Sequence, residues 1–320
     1  MKTTTKIATF VAGLAAVFGG AVGVGTLVGP VGSAGQEVHH SSPAATTAGP
    51  EKIPGGLMIS DQGFTLALAN DELPAGPATN LRFSVLGPDG RPVTAYERSH
   101  DKDLHLIAVR RDLSGFQHLH PQLDNSGNWS VPVALTSGQW RVFADFVPAG
   151  GKNLTLGADL AVAGVSEPKP LPPQSSTAQV DGYTITLTGD LEPGRESELK
   201  LSVAREGKSI TDLQPYLGAY GHLVALRDGD LAYLHVHPAG APGDGKTSPG
   251  PDITFYATTP STGSYRLYLD FKHDGKVRTA EFTVNTTTGS TTTPSPAPST
   301  TLPSPTASAS TGHGHDGDHG

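Results

Sequence analysis

One stretch of this chain is written twice. His105 is followed 13 residues later by His118-Leu119-His120-Pro121, and His222 is followed 13 residues later by His235-Val236-His237-Pro238. The flanks correspond as well: LHLIAVR (104–110) matches GHLVALR (221–227), and FQHLHP (116–121) matches YLHVHP (233–238). A chain repeated in this way folds as two copies of one domain. Whatever side chains the motif gathers are then offered twice.

The correspondence extends over most of both segments. GFTLAL (63–68) pairs with GYTITL (182–187), LRFSV (81–85) with LKLSV (199–203), and WRVFADF (140–146) with YRLYLDF (265–271). Each copy closes on a short apolar run, DLAVAG (159–164) and TAEFTV (279–284). These runs are short, rich in Val, Leu, Phe and Tyr, and separated by turn signals such as Gly87-Pro88-Asp89-Gly90 and Asp124-Asn125-Ser126-Gly127. No sustained helical period interrupts them. The expected fold is all-β: two tandem immunoglobulin-like β-sandwiches, residues 57–165 and 178–285, joined by a Pro-rich linker at 166–177. Tyr265 stands where such sandwiches carry a tyrosine corner. Trp140 holds the equivalent place in copy one and has no hydroxyl, so the corner is expected in one copy only.

The ends are of a different composition. Lys2 and Lys6 precede an uncharged run from Ile7 to about Val31, which reads over 1–34 as a signal peptide or a membrane anchor. Either reading places the body outside the cytoplasm, secreted or held on the outer face of the membrane. Residues 35–56 read as a flexible stalk and 286–312 as a disordered Thr/Ser/Pro-rich spacer. Residues 313–320 form a His/Asp-rich tail with His313, His315 and His319, a set suited to weak capture of divalent ions. The net charge of −8, with no basic cluster in the body, argues against nucleic-acid partners. Any contact with a membrane would come through the N-terminal segment. The absence of cysteine removes disulfides, thiolate ligands and a cysteine nucleophile.

Alternate residues of a strand share a face, so His118 and His120 lie about 6.5–7 Å apart on one side, as do His235 and His237. A hairpin with the preceding strand would bring His105 or His222 alongside. Three neutral imidazoles suit Cu(II), Zn or Ni, with copper favoured by intrinsic affinity. With Met58 as the body's only sulfur, soft ligands for a Cu(I) carrier are lacking. Asp145 and Asp270, late in the matching strands, are candidates for a fourth ligand or for carboxylates that orient a histidine ring, or are partners of Arg141 and Arg266 on the same strand face. The alternative is that the histidines are structural, fixing neighbouring loops. His100 and His273, without counterparts in the other copy, read as solvent-exposed turn residues. The strands bearing His105 and His222 are apolar on both faces, which leaves the direction of the histidines open.

On the stretches Asp103–Pro121, Trp140–Phe146, Leu213–Pro238 and Tyr265–Phe271, the chain resembles secreted or membrane-anchored actinobacterial tandem β-sandwich proteins of the heavy-metal-binding-domain type. The resemblance implies an extracytoplasmic β-sandwich linked to copper or other heavy metals. Gly-x-Ser-x-Gly, His-Glu-x-x-His and phosphate-loop motifs are missing, so binding is expected rather than catalysis. Two functions follow as expectations. One is a protein that buffers or delivers a copper or zinc ion on His105/His118/His120 and His222/His235/His237. The other is a cell-surface structural or interaction module, with cell-envelope proteins as partners.

Overall fold

A computed structural model describes residues 53–234 and 236–287. The N-terminal apolar run, most of the stalk, His235, the spacer from 288 onward and the tail with His313, His315 and His319 lie outside the described residues. Those described form strands and turns, and no helix among them is long and apolar enough to cross a membrane.

Each repeat is a sandwich of two sheets. In repeat 1 one sheet runs Ser60–Asp61, Phe64–Leu68, Gly76–Leu86, Asn128–Leu135, Gln122–Leu123. The other runs Glu72–Leu73, Leu154–Val162, Gly138–Pro148, Leu104–Arg110, Gln117–Leu119. In repeat 2 the sheets are Thr177–Val180, Tyr183–Thr188, Glu196–Arg205, Asp252–Thr258, Val236–Pro238, and the three strands Gly221–Arg227, Ser264–His273, Lys276–Asn285. The expected tandem immunoglobulin-like architecture is what forms.

Three apolar clusters hold it together. Leu66, Phe83, Trp129, Trp140 and Phe146 belong to the core of repeat 1, and Tyr183, Leu201, Phe255, Tyr265 and Phe271 to that of repeat 2. The third, built on Ile107, Val109, Phe143, Val224, Leu226 and Tyr268, draws on both repeats. Strand alternation explains it. Leu104, Leu106 and Ala108 point into their own sandwich, while Ile107 and Val109 point to the other repeat. Leu223 and Ala225 point inward in the same way, and Val224 and Leu226 outward. Both histidine strands are thus covered on two sides, which is why they read as continuous apolar runs. Each buried aliphatic or aromatic side chain here contributes about 1.5–3 kcal/mol relative to exposure.

The junction has a reciprocal character. Phe116 of repeat 1 stacks on Tyr268 of repeat 2 at 3.9 Å between centroids, while Tyr233 of repeat 2 meets Phe143 of repeat 1 at 5.7 Å. Phe116 and Tyr233 are counterparts in sequence, as are Phe143 and Tyr268.

Two expectations are corrected. The tyrosine corner is present, with Tyr265 Oη–H donating to Ser261 O at 2.8 Å, and Trp140 makes its equivalent: Nε1–H donates to Thr136 O at 2.7 Å. An indole N–H serves the same i−4 carbonyl. His273 is not an exposed turn residue but 8% exposed. It accepts from Tyr183 Oη–H at 2.7 Å and donates through Nε2 to Asp212 Oδ1 at 3.1 Å.

Candidate functional site

Where the outward faces of the two histidine strands meet, the apolar junction gives way to imidazoles. His105 is paired across the sheet with Asp145, and His222 with Asp270. His118 is opposite Ile107 on the neighbouring edge strand, so its ring reaches the same junction. One ring nitrogen from each of His105, His118 and His120 lies within 4.8 Å of the others. This is the one such three-histidine group among the described residues.

His222 joins that cluster. Its ring stacks on His105 at 5.4 Å and 16°, and lies 4.7 Å from His118. His237, its sequence partner, is exposed on the strand Val236–Pro238 and lines a cavity on the His222 side. The second trio therefore contributes His222 to the first trio's surroundings, while His235 lies outside the described residues.

Hydrogen bonds set the tautomers. His105 Nε2–H donates to the carbonyl of Ser99 at 2.9 Å, and His118 Nδ1–H donates to Asp270 Oδ2 at 2.8 Å. The remaining nitrogens, His105 Nδ1 and His118 Nε2, face each other across 3.0 Å. A neutral imidazole carries one N–H. One cation between the two nitrogens completes that contact, either a second proton on one ring or a metal ion. Nearby, His120 Nε2 is buried without a hydrogen-bond partner.

The surroundings are buried. His105 is 2% exposed and Asp270 3%. Burial, helped by neighbouring histidines, pushes His105 down to about 3. Burial, then His118 and Lys102, pushes His120 to about 4. Burial sends His222 well below the ordinary value. These rings are neutral at neutral pH, the form that ligates metals.

The two carboxylates diverge. Neither pairs with the arginine on its own strand face: Arg141 bonds Asp159 and the Gly56 carbonyl, and Arg266 bonds Glu281 and Thr283. Asp270 accepts from Thr279 at 2.6 Å as well as from His118, so it orients a ring of the opposite repeat. Asp145 accepts from Thr155 at 3.0 Å, and burial raises it to about 6.

His100 corrects the reading of an exposed turn. It is half-buried, 5.9 Å from the His105 ring and 5.5 Å from that of His222. His100 and Asp101 take positive φ in a tight turn closed by Ser99 and Lys102, which bends back over the cluster and presents the Ser99 carbonyl to His105. Repeat 2 has the same turn at Tyr216–Ala219, with Leu217 and Gly218 at positive φ. The pairing of Ser-His-Asp-Lys with the histidine strand five residues on was the available signal. It is hidden because the counterpart of His100 is Leu217.

Two face-packed β-sandwiches with a histidine cluster buried between them define the class: a tandem immunoglobulin-like protein whose polar centre belongs to the junction. The chain belongs to the family described as Domain of unknown function (DUF8832), which matches twice, at 59–164 and 178–288. No curated protein matches it. Among solved structures it is similar to the Yersinia pseudotuberculosis adhesin InvE, at 13% identity over 69% of this chain and 58% of that one, with TM-score 0.22. It is also similar to invasin, a bacterial integrin-binding protein, at 13% identity over 72% and 41%, with TM-score 0.21. A third likeness is to domains 4 and 5 of the S-layer protein SbsC, at 10% identity over 72% and 98%, with TM-score 0.19. The chain spans less than two thirds of the length of the first of these, 58%.

Proposed function

We propose that this chain is an extracytoplasmic binding protein, not an enzyme, that holds a divalent transition-metal ion between its repeats on His105, His118 and His120. The ion is Cu(II) ahead of Zn(II). The supporting observation is the facing pair of ring nitrogens, His105 Nδ1 and His118 Nε2 at 3.0 Å, beside the unpartnered His120 Nε2. Copper is placed first because imidazole sites bind Cu(II) ahead of Zn(II) in the general affinity order. Ser99 and Asp270 supply the outer contacts that fix metal-binding imidazoles. The extracytoplasmic placement rests on Lys2, Lys6 and the uncharged run after them. Buffering or delivery is the role such a centre serves. The tail with His313, His315 and His319 would be a weaker collector of ions.

The test is calorimetric titration of Cu(II) and Zn(II) into the full chain, a variant ending at Thr287, and His118→Ala. One tight site that survives truncation and is lost with His118 supports the proposal. Binding that disappears with the tail overturns it.

A second reading is a cell-surface structural or interaction module that docks on cell-envelope proteins. It is favoured by the His118–Asp270 bond, which ties the repeats together. On that reading His118→Ala lowers the melting temperature in chelator-treated protein, and metal leaves the wild-type melting temperature unchanged.

A further inference from the structure

A cavity of about 540 Å³ lies beside the three-histidine cluster, between the repeats, and Met58, His100, Asp145, His222, Tyr233 and His237 are among its walls. Met58 is one of two methionines in the chain, the other being Met1. Methionine ordinarily fills gaps in apolar cores. Met58 belongs to none of the three apolar clusters and is half-buried, lining the same cavity as His100, His222 and Asp145.

Its backbone is held in place by a built slot. Gly157 N–H donates to Met58 O at 2.9 Å, Gly56 N–H to Thr155 O at 2.7 Å, and Tyr233 N–H to Gly55 O at 2.9 Å. Arg141 donates to Gly56 O at 2.7 and 3.1 Å and to Leu57 O at 3.0 Å. A Cβ on Gly56, which has φ +73°, would sit 2.4 Å from the Phe143 ring. One on Gly157 would sit 2.0 Å from the Gly56 carbonyl. Glycine at both positions lets the segment lie flat on repeat 1 and present Met58 to the cavity.

In the wall of the cavity the His100 and His222 rings stand 5.5 Å apart, edge to face. Thioether and imidazole together make a soft donor set, and soft ligands select Cu(I). Asp145 adds a carboxyl group that can balance a cation.

We propose that this cavity is a second metal site, for the soft monovalent ion Cu(I), with Met58 as its thioether ligand and His100 and His222 as its imidazole ligands. It shares no ligand with the His105/His118/His120 centre, although His222 stacks on His105.

The experiment is anaerobic competition for Cu(I) against a chromophoric Cu(I) chelator, using the full chain with Met58→Leu, His100→Ala and His118→Ala. Zn(II) affinity is measured in parallel. Leucine conserves the volume of Met58, so the slot should remain filled. The expected result is that Met58→Leu weakens Cu(I) by about tenfold or more and leaves Zn(II) binding unchanged. His100→Ala also weakens Cu(I), and His118→Ala weakens Zn(II). Unchanged Cu(I) affinity in Met58→Leu overturns the proposal whatever the His100 variant does, as does equal loss of both ions in Met58→Leu. Failure of Zn(II) and Cu(II) to bind the wild-type chain would count against the three-histidine reading alone.

Discussion

In repeat 1 the segment Gln117–Leu119 pairs along the histidine strand, with Ala108 facing Gln117 and Ile107 facing His118. In repeat 2 the same pairing begins, with Leu226 bridging Tyr233 and Leu234 N–H donating to Ala225 O. It then stops, and Val236–Pro238 joins Asp252–Thr258 on the opposite sheet. One motif thus has two fates, and a single substitution marks the divergence. Gln117 uses its amide to bond the N–H and C=O of Ala134, at 2.9 and 2.7 Å. Its counterpart Leu234 is 2% exposed and packs in the repeat 2 core. A polar side chain ties the edge strand from outside, and an apolar one turns the chain inward. Duplication copied the histidines, while the neighbours decided where they went.

The contrast can be broken at several levels. The largest effect is expected in the shared junction, where Ile107→Ala or Leu226→Ala should each cost about 2–5 kcal/mol by denaturant unfolding. If the repeats merely touch, the cost will be far smaller.

Next come the carboxylates. Asp270→Asn should weaken Cu(II) or Zn(II) binding by about 10–100-fold through misorientation of His118, while Asp145→Asn leaves it unchanged. Equal effects would restore equivalence to the repeats.

The third prediction concerns acid. In metal-free protein His105 and His120 hold values of about 3 and about 4, below the ordinary 6.5, and His222 is also depressed. The unfolded chain therefore binds more protons between those limits, and stability falls as pH drops from 6.5 toward 3. Asp145, raised to about 6, works in the opposite sense above 3.8 but stands alone against the histidines. Melting temperatures in chelator should decline over this window, and His105→Gln/His120→Gln should flatten the decline. A flat wild-type profile would contradict the burial of these rings.

The smallest effects test local equivalence. Tyr265→Phe removes one corner hydrogen bond and should cost about 0.5–1.5 kcal/mol in thermal unfolding. Trp140→Phe also empties part of the buried space its larger ring fills and should cost more. A silent Trp140→Phe would mean that the indole bond is no substitute for the tyrosine corner.

Much of this protein was legible in its residues. Alternation and turn signals indicate the sandwiches, and the matched phrases indicate the duplication. His105, His118 and His120 are named by spacing alone because strand alternation places His118 and His120 on one face. His100 was obscured because its turn is shared while its side chain is not. Met58 was obscured because nothing local distinguishes a core methionine from one facing a cavity. Trp140 was misread because its corner depends on which donor reaches the Thr136 carbonyl, not on a hydroxyl as such.

The sequence by itself determined the repeated domain, its strands, and which side chains share a strand face, since period-2 alternation is a local property of the backbone. Only the tertiary structure decided that the outward faces of Leu104–Arg110 and Gly221–Arg227 would cover each other. That packing placed His222 against His105 and gave His118 its carboxylate from the other repeat. The physical reason is that an apolar outward face must be buried against something. Alternation specifies that such a face exists, and only the assembled chain supplies its partner.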